Sequence, residues 1–332
     1  MKKQNYLHFV GIDISKLTFD VAVMAGSKDS ASYVFDNTQK GIKAFLQLLK
    51  NQSIELSTTL ICMEHTGVYG KLISQKLIER QANICIEMPI KIIRSLGLQR
   101  GKTDKIDAIR IAKYASKNSD EIALYEPTAV VLEKIKILIT IRERLVKSKT
   151  DLTKYPKELE HFAPELAKVA HKSIKKTIKT INDEIHRIEH EIKTLISSDQ
   201  KLKKTIQLVT SITGIGLFTG LYLAVYTNLF TKYKNPKQLS CYCGVAPFEY
   251  TSGTSIRKRA KVHHMANKTL KKQLHMCAMS AIIHDPELKV YYNRKVDEGK
   301  SKMLVINNIR NKLIYRVCAV IKRQEPYRKV AA

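Results

Sequence analysis

The chain has 332 residues, 44% of them hydrophobic, and a formal net charge of +28. This composition supplies a packed core and excludes global disorder, and the length allows two domains with a helical spacer. The charge points to a polyanionic partner, nucleic acid before a ribosomal or membrane surface, and residues 206–332, with 22 basic and 6 acidic side chains, hold more than half of the excess.

Residues 7–24 read as two strands joined by a tight turn, and 31–37 as a third, giving an antiparallel meander. Residues 39–50 have helical period, with Ile42, Phe45, Leu46 and Leu49 on one face. The apolar run 59–65 is a buried strand ending at Glu64; 69–80 is a helix; 83–89 is a short strand stopped by Pro89. A Lys/Arg-bearing helix, a turn at Gly101 and a helix from Asp104 to Lys117 complete a domain over 1–125, an α/β pattern on a mixed sheet. Residues 126–205 keep helical spacing, broken by Pro156 and Pro164. They read as a helical hairpin or antiparallel coiled coil with its bend near 155–165, either a solvated spacer or an oligomerisation arm. Residues 206–332 are basic and mainly helical. Thr213-Gly214-Ile215-Gly216 lies between two apolar helical segments, where a Gly-x-Gly turn either offers amides to a phosphate or simply joins two helices. Further on, Ile306, Ile309, Leu313 and Val317 mark a buried stripe, with Arg310, Lys312 and Arg316 on the outer face.

Cys62 and Cys85 sit in apolar strands and read as buried thiols, while Cys241 and Cys243 have no second pair at zinc-finger spacing. No secretory leader and no bilayer-spanning run is read, so a cytoplasmic protein without a membrane partner is expected.

Four acids stand out by position. Asp13 lies near the end of the first apolar strand and Glu64 ends another; Asp104 and Asp107, three apart at a helix start, share one face. A carboxylate inside an apolar run is costly to desolvate unless it is compensated, and a divalent cation would compensate all four. Magnesium suits such hard oxygens and completes its shell with water and substrate phosphate. Each acid also has a plainer reading: a turn residue at Asp13, a cap of the following helix at Glu64, an N-cap or first-turn acid at Asp104, and a solvated helical residue at Asp107.

Gly11-Ile12-Asp13-Ile14-Ser15-Lys16, Glu64-His65-Thr66-Gly67-Val68-Tyr69 and Lys102-Thr103-Asp104-Lys105-Ile106-Asp107-Ala108 resemble the DEDD transposases of the insertion sequence 110 family, relatives of the Piv-like DNA invertases. The resemblance continues through Gly244-Val245-Ala246-Pro247, Thr251-Ser252-Gly253 and Asn267-Lys268-Thr269-Leu270, and spans nearly the whole chain. It implies an RNase H/RuvC-like N-terminal domain with Asp13, Glu64, Asp104 and Asp107 as catalytic magnesium ligands. It implies a serine nucleophile in the C-terminal domain, here Ser252 with Ser255 as the alternative, and a phosphoserine link to DNA. It also implies donor and target DNA as partners, a non-coding bridge RNA as guide, and a dimer or tetramer in which the acids of one copy meet the serine of another. Where the family often has Ser-Lys-x-Gly-Asn, this chain reads His264-Met265-Ala266-Asn267, so Ala266 stands in place of the glycine.

Arg257, Lys258, Arg259, Lys261, Lys268, Lys271, Lys272 and Arg310 are the expected phosphate contacts. The rival readings are a hydrolytic RuvC-like nuclease or junction resolvase, an actin-like sugar kinase, which needs glycine-rich nucleotide loops, and a nucleic-acid-binding protein without catalysis.

Overall fold

The structure is a computed structural model. It describes residues 5–26, 29–97, 103–233, 235–253 and 256–328, without the side chains of Asp29, Tyr250, Ser252, Ile256, Lys258 and Arg259. The turn expected at Gly101 lies outside the described residues, as do Lys102 and Ser255. The chain divides into two compact units, Met1–Pro127 and Thr128–Ala332.

Unit 1 is built on strands β1 (His8–Ile14), β2 (Thr18–Ala25) and β3 (Asp29–Asp36), helix α1 (Gln39–Asn51), strand β4 (Thr59–Glu64), helix α2 (Lys71–Ile78), strand β5 (Asn83–Glu87) and helices α3 (Pro89–Ser95) and α4 (Asp104–Lys117). The sheet order is β3-β2-β1-β4-β5, with antiparallel β1–β2–β3 and parallel β1–β4–β5. This is the expected mixed α/β sheet, with a meander followed by a strand–helix–strand crossover.

The period of two along each strand separates the faces. Val10, Ile12, Ile14, Phe19, Val21, Ile61 and Met63 pack on α1 and α2 through Ile42, Phe45, Ile73 and Leu77. Phe9, Ala22, Met24, Leu60, Cys62 and Cys85 pack on α3 and α4 through Ile92, Ala108, Ile111 and Ala112. This face includes the small residues Ala22, Cys62, Ala108 and Ala112, and Gly11 explains why. A methyl group there would overlap the Ala108 carbonyl oxygen and the Ala112 amide nitrogen. The backbone of α4 therefore lies directly on β1, two residues before Asp13. Cys62 and Cys85, neighbours across β4–β5, are buried thiols as expected.

Unit 2 opens with α5 (Val130–Phe162) and α6 (Pro164–Ser198). The pairs Glu160–His171, near the bend, and Arg142–Glu189, far from it, both at 2.7 Å, show an antiparallel helical hairpin. The bend falls at Ala163. Pro156 does not break the helix as expected: α5 runs through it with the ring buried, so packing outweighs the lost N–H bond at that turn. Helices α7 (Gln200–Thr210), α8 (Leu217–Thr227) and α9 (Pro236–Tyr242) follow, then the two-stranded ribbon β6 (Phe248–Ser252) and β7 (Ile256–Lys261), and α10 (Lys268–His284), α11 (Pro286–Asp297) and α12 (Lys302–Arg323). Leu132, Ile135, Ile139, Ile188 and Ile192 at the base of the hairpin share one core with Leu208, Leu221, Leu274, Ile309 and Leu313. The stretches 126–205 and 206–332 thus form one unit. No helix among the described residues is long and apolar enough to cross a membrane.

Candidate functional site

The four acids predicted from the sequence come together at one end of the unit 1 sheet. Asp13 is the penultimate residue of β1 and Glu64 the last of β4, both facing α4 by strand parity. Thr103 caps α4, its hydroxyl accepting a bond from the Ile106 amide, so Asp104 and Asp107 fall in the first turn. The helix end favours negative charge there, and the close approach at Gly11 carries that turn to the strand ends.

The electrostatics record this gathering. The Asp13 carboxyl is pushed up to about 6, by burial first and then by the charges of Glu64, Asp104, Asp107 and Asp20. Asp20 is the acid that sequence reading missed. It pairs directly with Asp13 across β1–β2, and its own carboxyl is raised by burial and by Asp104. The signal was present: the two-residue turn Lys16-Leu17 sets Ile14 against Phe19 and hence Asp13 against Asp20. Two basic groups temper the cluster's surroundings. Arg110 binds Asp107 at 2.7 Å, and Lys91 holds Glu87, the register neighbour of Glu64, at 3.0 Å.

The donor chemistry fits a hard divalent cation: carboxylate oxygens only, that of Asp13 half-buried and raised by burial and then by its acidic neighbours. Among the described residues, no three acid, His or Cys side chains stand close enough to form a ready-made ligand set. Magnesium takes one or two protein carboxylates and fills its octahedron with water and phosphate, so this spacing suits an ion completed by substrate. Asp13, Glu64, Asp104 and Asp107 are the candidates from which such an ion would draw its one or two carboxylates.

In unit 2, Ser252 is the last residue of β6, opposite Ile256, with Gly253 at φ +53° turning the chain. The two strands of this ribbon were not among the elements expected from the sequence. Arg257 and Lys261 on β7 are exposed, as are Lys268 and Lys272 at the start of α10, while Lys271 is half-buried. Lys272 lies 3.4 Å from Glu143. Gly244, at φ +66°, faces the Ala266 methyl, and a methyl of its own would stand 2.8 Å away. Where Ala266 replaces the family's glycine, a close approach is thus made with a glycine on the opposite segment. Gly214, at φ +93°, similarly lies against Ala281 and Cys277 of α10, which gives it a packing role.

Comparison with known proteins places these features. A family described as "Transposase", the DEDD type of IS110, matches residues 10–159, and "Transposase IS116/IS110/IS902 family" matches residues 206–293. The chain belongs to the IS110 family of transposases. Membership makes this transposase a DNA-cleaving recombinase. It is 29% identical over 329 residues to the "Pilin gene-inverting protein" of Moraxella bovis, covering 97% of this chain and 98% of that one. A shorter match, 31% over 94 residues, covers 28% of this chain and 23% of the "Insertion element IS110 uncharacterized 43.6 kDa protein" of Streptomyces coelicolor. Among solved structures, Thermus thermophilus RuvC aligns with 36% of this chain and 99% of its own at 11% identity, with a TM-score of 0.26.

One predicted contact of the transposase is corrected. Arg310 is 5% exposed, not on an outer face, and its guanidinium donates to His275 Nδ1 at 2.7 Å. Burial lowers its pKa, and burial and then Arg310 lower that of His275. Arg316 is also turned inward, bound to Asp285 at 2.6 Å and Glu287 at 2.7 Å. Helix α12 is enclosed by α7, α9, α10 and α11, so its buried surface is far wider than one stripe. Lys312 alone of the three stays exposed, its ammonium over the Tyr291 ring.

Proposed function

We propose that this transposase cleaves and rejoins DNA through an RNase H/RuvC-like metal site and the Ser252 hydroxyl, at targets selected by a bridge RNA. The observation that carries the reading is the raised Asp13 carboxyl: three other predicted acids, from distant stretches, act on it. A divalent cation bound there would polarise a phosphate oxygen and stabilise charge on the attacking and leaving oxygens. The Ser252 oxygen forms a bond to phosphorus as its proton departs. One bridging P–O bond breaks, and the released deoxyribose oxygen takes up a proton. The phosphodiester energy is kept in the serine ester, so an incoming hydroxyl restores the DNA and frees the serine without an outside energy source. Arg257, Lys258, Arg259, Lys261, Lys268, Lys271 and Lys272 supply cations for the DNA or RNA backbone.

The test is a denaturing gel of full-length protein with labelled DNA and magnesium. Wild type forms a protein–DNA adduct and Ser252→Ala forms none. An undiminished adduct in the variant moves the nucleophile elsewhere, and cleavage with no adduct in wild type makes the enzyme hydrolytic. Mixing inactive Asp13→Asn and Ser252→Ala proteins restores cleavage if copies share active sites. Sequencing the RNA that copurifies tests the guide.

A further inference from the structure

Two loops leave the carboxylate edge: the β1–β2 turn, one residue after Asp13, and segment 65–70, directly after Glu64. Asn37 joins them. Its side-chain amide donates to the Ser15 carbonyl at 3.0 Å and to the Tyr69 carbonyl at 3.1 Å. Its backbone N–H donates to the Leu17 carbonyl at 2.7 Å, one step beyond the β2–β3 ladder. Asn37 is held from the other side as well, because the next residue, Thr38, caps α1 by accepting from the Gly41 amide.

The hairpin does not need this side chain to close. Ser15 donates from its amide to the Thr18 carbonyl at 2.9 Å, and its hydroxyl bonds the same carbonyl and accepts from the Thr18 amide. What Asn37 adds is the link to Tyr69, 32 positions away. Both acceptors are carbonyls, so the network requires the nitrogen of the amide to face them. The remaining oxygen, Asn37 Oδ1, is buried with no hydrogen-bond partner among the described residues, and so is Thr66 Oγ1 within the joined segment. Unpaired buried acceptors oppose folding, so the arrangement is poor as a stability device.

We propose that Asn37 is a positioning residue for the carboxylate site: it ties together the loops that follow Asp13 and Glu64 on their paired strands, and through that tie sets the affinity for a divalent cation. The inference rests on the metal-site reading above. Outer groups that orient metal ligands typically govern about ten- to hundredfold in affinity. An oxygen in place of the amide nitrogen would face two carbonyl oxygens and push the loops apart.

Manganese binding to the full-length chain, measured by titration calorimetry and by electron paramagnetic resonance, tests it with wild type, Asn37→Ala, Asn37→Asp and Asp13→Asn. Wild type binds the ion, and Asp13→Asn abolishes or greatly weakens the binding. Asn37→Ala weakens it about tenfold and Asn37→Asp more, while the metal-free melting temperature of Asn37→Ala stays within about 2 °C of wild type. Saturating manganese restores DNA cleavage by Asn37→Ala and not by Asp13→Asn. Wild-type manganese affinity in Asn37→Ala overturns the positioning role while leaving the metal site intact. Weakened binding accompanied by an equal loss of metal-free stability in Asn37→Ala and Asn37→Ser, which keeps a donor, also overturns it. Equal binding by wild type and Asp13→Asn removes the metal-site reading, and the positioning role with it.

Discussion

The carboxylate edge and the β6–β7 ribbon handle charge in opposite ways. The acids sit on strands locked into a five-stranded sheet and on a capped helix lying against it, so negative charge is concentrated where burial makes it costly. The ribbon has two strands, with Arg257 and Lys261 exposed to solvent. Two-stranded ribbons are only marginally stable by themselves. The groups proposed to hold a metal ion are thus carried on a five-stranded sheet, and cations proposed to meet a polyanion on a two-stranded ribbon.

The largest effect expected from breaking this contrast is at Asp13. Asp13→Asn keeps the shape and removes the charge, and strand cleavage in magnesium falls by about a thousandfold in single-turnover assays. A loss of less than tenfold would deny the sheet edge its part in the chemistry. Next comes the contact that carries α4 to that edge. Gly11→Val places side-chain atoms in the space of the Ala108 carbonyl and Ala112 amide, and destabilises unit 1 by about 3 kcal/mol in urea unfolding. Wild-type stability for this variant would mean that α4 can shift away without loss.

The order of these effects explains what the sequence shows readily and what it hides. Acids ending apolar strands are conspicuous because the run predicts burial and the charge contradicts it. Asp20 is less so, since its importance appears only when the hairpin register is followed across to Asp13. The ribbon escaped notice because Arg257, Lys258, Arg259 and Lys261 crowd β7 and mask its period of two. Pro156 was expected to end a helix because proline opposes helical hydrogen bonding, yet its ring is buried within α5. Arg310 was placed on a wet face because one apolar stripe is the rule for a helix at the surface, and the buried part of α12 is wider than one stripe. These misses share a cause: each depends on what another segment places nearby.

A smaller effect separates exposed from buried cations in unit 2. Lys268→Ala lowers the slope of log affinity against log salt for duplex DNA by about 1, measured by fluorescence anisotropy. Arg310→Met leaves that slope unchanged, because its guanidinium is already bound to His275 inside the fold. A slope change at Arg310 equal to that at Lys268 would require α12 to open on binding.

The smallest effect concerns the sign of the acids' contribution to stability. A carboxyl raised from 3.8 to about 6 binds its proton more tightly in the folded chain than in the unfolded one. Its contribution to stability is complete below 3.8 and is lost as pH rises through about 6. Asparagine cannot ionise, so in chelator at pH 7.5 Asp13→Asn melts about 2 °C above wild type, a modest gain because half of the group's surroundings are solvent. The gap closes at pH 3.5 and develops between about 4 and 6. Added magnesium reverses the ranking, since only wild type keeps the full set of charges for the ion. If Asp13→Asn instead melts below wild type in chelator at pH 7.5, Asp13 is compensated within the protein, and the edge would no longer have the unmet charge that distinguishes it from the ribbon.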